Sequence, residues 1–310
     1  MAPKIRFIDL FAGIGGFHLA FDRIGADCVF ASEKDPDARR TYIANFLERS
    51  PDLFKGNHFN DDILSVDPST IPDFDILCAG FPCQPFSQAG HKLGFGENYE
   101  SRGNMFFVLR DIIKARQPKA FFLENVRHLV NHDDGNTFRV IRQTLEDDLG
   151  YQFYHTVVKA SDYGLPQHRA RVFMIGVDKS LGLPKNFKFP PKVPLKYTIS
   201  DIFGGHCDKD IGFTLRVGGR GSTINDRRNW EFYLVDGKVV RLGVPQGKKM
   251  MGLPDSFRFP VTDTQAMKQL GNSVAVDAVE AVARHLVEYL RENGLFSGEK
   301  MGESALRSAS

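Results

Sequence analysis

One cysteine stands apart from the other three. Cys83 lies in Ala79-Gly80-Phe81-Pro82-Cys83-Gln84-Pro85-Phe86-Ser87, directly after an apolar run that reads as a strand end, where an open α/β sheet presents its ligands. A thiol in such a loop is within reach of a substrate and becomes a nucleophile once ionised. Cys28 and Cys78 fall inside apolar runs, where a cysteine packs as a small hydrophobe. With Cys207 as the fourth, the spacing forms neither the Cys-x-x-Cys pairs of a zinc site nor a disulfide framework, so reduced thiols and no metal are expected. Leu123-Glu124-Asn125-Val126 puts an acid at the tip of another apolar run, where a carboxyl is either exposed or held in a site that perturbs its pKa. Gln167-His168-Arg169-Ala170-Arg171 spaces two guanidinium groups so that they face one side of an extended chain, with a paired structural role as the alternative.

A second set of residues suits a nucleotide-like ligand. Gly13-x-Gly15-Gly16 follows a strand-like run, but the third glycine of the dinucleotide fingerprint is replaced by His18, which favours a smaller adenosyl ligand. Glu33 at the end of the next strand could accept bonds from both ribose hydroxyls, and Asp62-Ile63 could bracket an adenine. A solvated acid is the plainer alternative for both positions.

These residues need elements to position them. Ile5–Leu10 reads as a buried strand, followed by the glycine turn and a helix from Phe17 that Gly25 stops. Residues 28–32 give a second strand, and Asp35-Pro36 caps a helix running to about Phe46. Residues 75–79, 119–123 and 171–177 are further strands, with helical segments near 104–117 and 136–149. The alternation predicts an α/β fold, a doubly wound, mostly parallel sheet covered on both faces. After Leu183 prolines break any helix, and a second, smaller unit is expected over 195–254. Ala275–Arg291 reads as one amphipathic helix that rejoins the first domain, which is therefore assigned 1–190 plus 255–293. The glycine-rich stretch 91–103 is expected to close over a site, and 297–310 to form a frayed tail.

Hydrophobic residues at 42%, charged residues at 25% and 27 Phe describe a folded globular chain. No stretch approaches the eighteen or so uncharged apolar residues of a membrane helix, and no secretory segment opens the chain, so a cytoplasmic protein is expected. The formal charge is only +2, yet residues 214–249 hold eight Lys or Arg against three acids. On charge alone, a face for a polyanion and an ordinary solvated face both remain open.

Taken together, Phe7-Ile-Asp-Leu-Phe-Ala-Gly-Ile-Gly-Gly-Phe17, Gly80-Phe-Pro-Cys-Gln-Pro-Phe-Ser87, Glu124-Asn-Val126, Gln167-x-Arg-x-Arg171 and Gly271-Asn-Ser-Val274 resemble the bacterial DNA (cytosine-5) methyltransferases of restriction-modification systems. The resemblance covers about 1–180 and 250–290, with five short motifs in the family's order. It implies the S-adenosylmethionine-dependent methyltransferase fold with a small DNA-recognition domain. It also implies that Cys83 adds to C6 of a flipped-out cytosine, that Glu124 bonds or protonates N3, that Arg171 holds O2, and that Arg169 supports the loop or a phosphate. By the same resemblance Asp9, Phe11, Gly13, Gly15, Gly16, Phe17, Glu33, Asp62, Ile63, Asn272 and Ser273 hold S-adenosylmethionine. Thr214 would support the flipped nucleotide, while Gln84, Ser87, Arg216, Arg220, Arg227 and Arg228 would contact double-stranded DNA at a short site. A monomer is expected, with functional pairing to a separate restriction endonuclease left open.

Two departures stand out. Lys34 replaces the aromatic that many relatives carry there, and Val244-Pro245-Gln246-Gly247-Lys248-Lys249 replaces Pro-Arg-Glu-x-x-Arg. The rival readings are a transfer-RNA cytosine-5 methyltransferase, whose Cys-Phe-Thr signature follows none of the four cysteines, and a DNA-binding module that has lost catalysis. A nicotinamide oxidoreductase is disfavoured by His18.

Overall fold

A computed structural model describes residues 4–82, 105–217 and 223–296 of the chain. Cys83, Gln84, Ser87 and Arg220, the expected closing segment 91–103 and the tail 297–310 lie outside the described residues.

Seven strands form one sheet in the order β3-β2-β1-β4-β5-β7-β6. Strands β1 (Arg6–Leu10), β2 (Asp27–Ser32), β3 (Phe59–Asn60), β4 (Ile76–Gly80) and β5 (Ala120–Val126) pair in parallel. β7 (Ala170–Asp178) runs antiparallel to both β5 and β6 (Tyr151–Lys159), so the sheet is mostly parallel, as expected, with a reversed strand near one edge. The chain order reverses between β1 and β4, the switch point at which open α/β sheets bind ligands beyond their carboxyl ends. The central strands are buried on both faces, which explains why they read as unbroken apolar runs.

Helix α1 (Gly16–Asp22) ends three residues before Gly25, and α2 (Pro36–Phe46) starts at the expected cap, where Asp35 accepts from the amides of Asp37 and Ala38. Helix α3 spans Met105–Arg116. The segment expected to be helical near 136–149 divides into α4 (Asn136–Gln143) and a π turn over Thr144–Asp148. Past β7, the chain forms α5 (Ile199–Phe203), the hairpin β8 (Phe232–Val235) and β9 (Lys238–Arg241), and helices α6 (Val244–Met251), α7 (Asp263–Asn272) and α8 (Val276–Glu292). The stretch assigned to a small second unit shares the larger core. Ile199, Leu215, Trp230, Tyr233 and Met250 bury in one cluster with Phe7, Phe17 and Val279. Among the described residues no helix is long and apolar enough to cross a membrane.

Candidate active site

The glycine turn between β1 and α1 is the first half of the site. Phe11 and Gly13 take left-handed backbones with φ of 55° and 56°, an allowed turn for glycine and a strained one for phenylalanine. A side chain on Gly13 would enter open space, so its main chain faces an unfilled region. Glu33, one residue past β2, fastens the turn. Its Oε2 accepts from the Gly13 amide at 2.7 Å and its Oε1 from the Asp35 amide at 2.7 Å. Burial raises the Glu33 carboxyl above its usual range, and those amides oppose the shift. Asp9 lies beneath the turn, fully buried, with neither carboxylate oxygen hydrogen-bonded among the described residues. Burial pushes its carboxyl well up, the nearby His18 amide pulling the other way.

The remaining expected cofactor residues gather at the same edge. Asp62 caps a short 3-10 turn through the Leu64 amide, and its other oxygen pairs with Lys34 at 3.0 Å, so a cation bridge occupies the place of the expected aromatic. Ile63 is buried beside this pair in sequence. Phe17 is a core residue, its ring edge-on to Phe122 at 5.2 Å, whereas Phe11 is half-buried at the turn. From the far end of the chain, Asn272 is exposed and Ser273 is buried. A Cβ on Gly16 would lie 2.6 Å from Val274 and 3.1 Å from the Ser273 hydroxyl, so only glycine lets the 271–274 segment close onto the turn. Gly271 is crowded in the same way, by the Arg216 backbone.

The residues expected to carry proton and base chemistry meet across β4, β5 and β7. Gly80 pairs with Glu124, and a Cβ on Gly80 would approach Glu124 Oε2 to 3.5 Å. The Asn125 amide donates to the Phe81 carbonyl at 2.9 Å, fixing the chain two residues before Cys83 beside Glu124. Glu124 is only 7% exposed. Arg171 Nε stands 2.9 Å from Oε1 as an ion pair, although that oxygen receives no well-aligned hydrogen bond and keeps acceptor capacity. Burial raises the Glu124 carboxyl, while the charges of Arg171 and then Arg169 hold it down.

Arg169 precedes β7 and is buried. Its guanidinium donates to the carbonyls of Leu215 at 3.3 Å, Gly271 at 3.0 Å and Ser273, and burial with the Arg171 charge lowers it to about 9. At 2% exposure it has no surface to offer a phosphate, so of the two roles expected for it, only loop support is available. Gln167 works beside it, donating to the Met250 carbonyl and accepting from the Leu215 amide, both at 3.0 Å. The sequence motif contained Gln167 and Asn125 without assigning them a role. Only their hydrogen-bond partners, far away in sequence, reveal it.

A cleft of about 390 Å³ opens over this end of the sheet, lined by Arg127, Lys159, His168, Ala170, Arg171 and Thr214. Thr214 thereby lines the same cleft as Arg171. Arg216 and Arg227 are exposed, and Arg228 is also exposed but paired with Asp226 at 3.0 Å. The cysteines within the described residues, Cys28, Cys78 and Cys207, are all buried, and burial raises each thiol above its usual range.

Comparison with known proteins agrees with this geometry. The family model of C-5 cytosine-specific DNA methylases matches residues 5–216 and 216–288. The chain is 38% identical to Type II methyltransferase M.HpaII of Haemophilus parainfluenzae, over 94% of this chain and 91% of that protein. It is 36% identical to M.HhaI of Haemophilus parahaemolyticus, over 91% and 94% respectively. Among solved structures, a putative DNA modification methyltransferase encoded within an E. coli prophage shares the fold at a TM-score of 0.70, with 22% identity over 93% of this chain and all of that one. The chain belongs to the C-5 cytosine-specific DNA methylase family, S-adenosylmethionine-dependent enzymes that methylate cytosine in DNA at C5.

Proposed function

We propose that the two halves of the site divide the reaction between them, with Cys83 attacking a flipped-out cytosine and Glu124 handling its N3. The carrying observation is the buried Glu124 carboxyl, paired with Arg171 and set opposite Gly80 in the strand that leads to Cys83. Cytosine C5 is a poor nucleophile. Addition of the Cys83 thiolate to C6 makes C5 enamine-like, and a proton or hydrogen bond from Glu124 at N3 disperses the charge that this addition creates. Arg171 orients Glu124 and reaches O2, Arg169 holds the Leu215 and 271–273 segments in place, and Thr214 supports the nucleotide at the cleft. Loss of the C5 proton then expels the thiol. Because C6 is hidden in a stacked duplex, the base must leave the helix first.

The residues at the glycine turn fit S-adenosylmethionine. Its fixed sulfonium suits an edge bearing Asp9, Glu33 and Asp62, and the open space at Gly13 admits close approach of a ligand to the main chain. When bound, S-adenosylmethionine supplies an electrophilic methyl group. Glu33 keeps acceptor capacity on both oxygens for ribose hydroxyls, Phe11, Gly15, Gly16 and Ile63 shape the turn and its wall, and Asn272 and Ser273 close it.

Residues 195–254 serve as the small recognition unit in this reading, with Gln84, Ser87, Arg216, Arg220, Arg227 and Arg228 toward the duplex. A compact unit of this size suits a short site. In this reading the protein acts as a cytoplasmic monomer, and its likeness to Type II methyltransferases leaves room for functional pairing with a separate restriction endonuclease. The test is tritium transfer from labelled S-adenosylmethionine to duplex DNA and, separately, to transfer RNA. Label should appear as 5-methylcytosine in DNA alone. Label on transfer RNA alone, or on a nitrogen of the base, would overturn the reading.

A further inference from the structure

The cleft over the carboxyl end of β5 and β7 carries more positive charge than the chemistry at Glu124 uses. Arg127 follows β5 directly, and Lys159 is the last residue of β6. Across the sheet, Arg171 pairs with Val126 on one side and with Val158 on the other, so Arg127 and Lys159 each lie one residue beyond Arg171's two partners. Arg127 opens the 3-10 turn that follows β5, and the three cations line one cleft at the ends of three adjacent strands. His168 and Thr214 complete the lining, and none of its residues is acidic.

What sets Arg127 and Lys159 apart is that they share one cleft with a third cation, Arg171, and with no acid in its lining. Lys34, Arg142, Lys185 and Lys196 each sit within 4 Å of a carboxylate. No acidic partner at that distance is found for Arg127 or Lys159 among the described residues. Clustered cations without counter-ions repel one another and destabilise the free fold, and a polyanion relieves that repulsion.

We infer that Arg127 and Lys159, with His168 of the same cleft as a further donor, seat the phosphodiesters that flank the target nucleotide. The inference rests on the proposed chemistry at Glu124 and adds the anchor that chemistry needs. A base presented to the buried carboxyl carries its phosphates outward, and these cations line the cleft that Arg171, the ion-pair partner of Glu124, also lines. Phosphate contacts position the substrate without reading its sequence. Arg127 and Lys159 are thus positioning residues, distinct from Arg216, Arg227 and Arg228, which are proposed above to contact the duplex.

The test uses the full chain and a fluorescent duplex that the parent methylates, with affinity followed by anisotropy across a range of KCl concentrations. Each lost phosphate contact should flatten the slope of log affinity against log salt by about 0.9, so the double variant Arg127→Gln/Lys159→Gln should lose about 1.8. KM for DNA should rise while kcat at saturating DNA stays unchanged, the signature of lost uniform binding. Arg127→Lys and Lys159→Arg should retain the parental slope, which a purely structural role for these side chains would not require. Lys55→Gln, which removes an equal charge beside Asp52, should leave the slope as it was. A parent that methylates the duplex but whose slope does not move in the double variant would overturn this inference alone. A parent that neither binds nor methylates duplex DNA would overturn the functional reading, and this inference with it.

Discussion

Glu124→Gln lowers turnover by about a hundredfold or more, the scale at which a positioned proton donor contributes to a reaction. The substitution keeps the shape and a carbonyl oxygen beside Arg171, so the fold and cofactor binding should survive it. What is lost is the proton. In the parent, burial holds the carboxyl protonated to higher pH than a free glutamate, against the pull of Arg171 and Arg169. The protonated form is therefore present below the raised pKa and vanishes as pH climbs through it. The parent's pH profile should fall on its alkaline side in step with that ionisation, and the variant's profile should lack this limb. A loss of less than tenfold, or a change confined to cofactor affinity, would remove Glu124 from the chemistry.

Arg169→Met carries the largest expected cost in stability, about 3–5 kcal/mol, the range for breaking a buried charged network from one side. The methionine fills much of the volume but leaves the carbonyls of Leu215, Gly271 and Ser273 without their donor in a buried setting. Two segments distant in sequence come loose together, the one that carries Thr214 and the one that carries Asn272 and Ser273. Arg169→Lys should recover only part of the loss, because one ammonium cannot reproduce the planar fork. Urea unfolding measures both variants, with a lower midpoint at unchanged slope. A loss below about 1 kcal/mol for the methionine variant would mean that the network does not hold these segments.

Much of this arrangement was legible in the order of residues, and for identifiable reasons. The strands β1, β4 and β5 announce themselves because both of their faces are buried, leaving no polar alternation to blur the run. Asp35-Pro36 marks the start of α2 through purely local chemistry. Strand β6 escaped notice because its second half lies at the sheet edge, where Tyr154–Val157 alternate in exposure and polar residues are tolerated. Arg169 and Arg171 looked like a matched pair. Arg169 instead precedes the strand and turns to carbonyls 46 to 104 residues away, contacts that no local pattern encodes. Lys34 looked like a missing aromatic contact, and its bridge to Asp62 depends on a residue 28 positions on. Arg127, Arg171 and Lys159 line one cleft because β7 runs antiparallel between β5 and β6, a pairing that periodicity alone does not specify.

The proposed covalent link between enzyme and base is the step from which the roles assigned to Cys83, Glu124 and Arg171 all follow. Release of the enzyme requires a proton to leave C5 after methylation, and fluorine at that position cannot leave as a cation. A duplex with 5-fluorocytosine at the target, mixed with the protein and S-adenosylmethionine, should therefore give a denaturant-resistant complex of one protein per site. Peptide mapping should place the link on Cys83. Omitting S-adenosylmethionine should yield no permanent complex, because the thiol adduct then reverses. A link at Cys28, Cys78 or Cys207, or no complex on a duplex whose unfluorinated form is methylated, would contradict thiolate addition by Cys83.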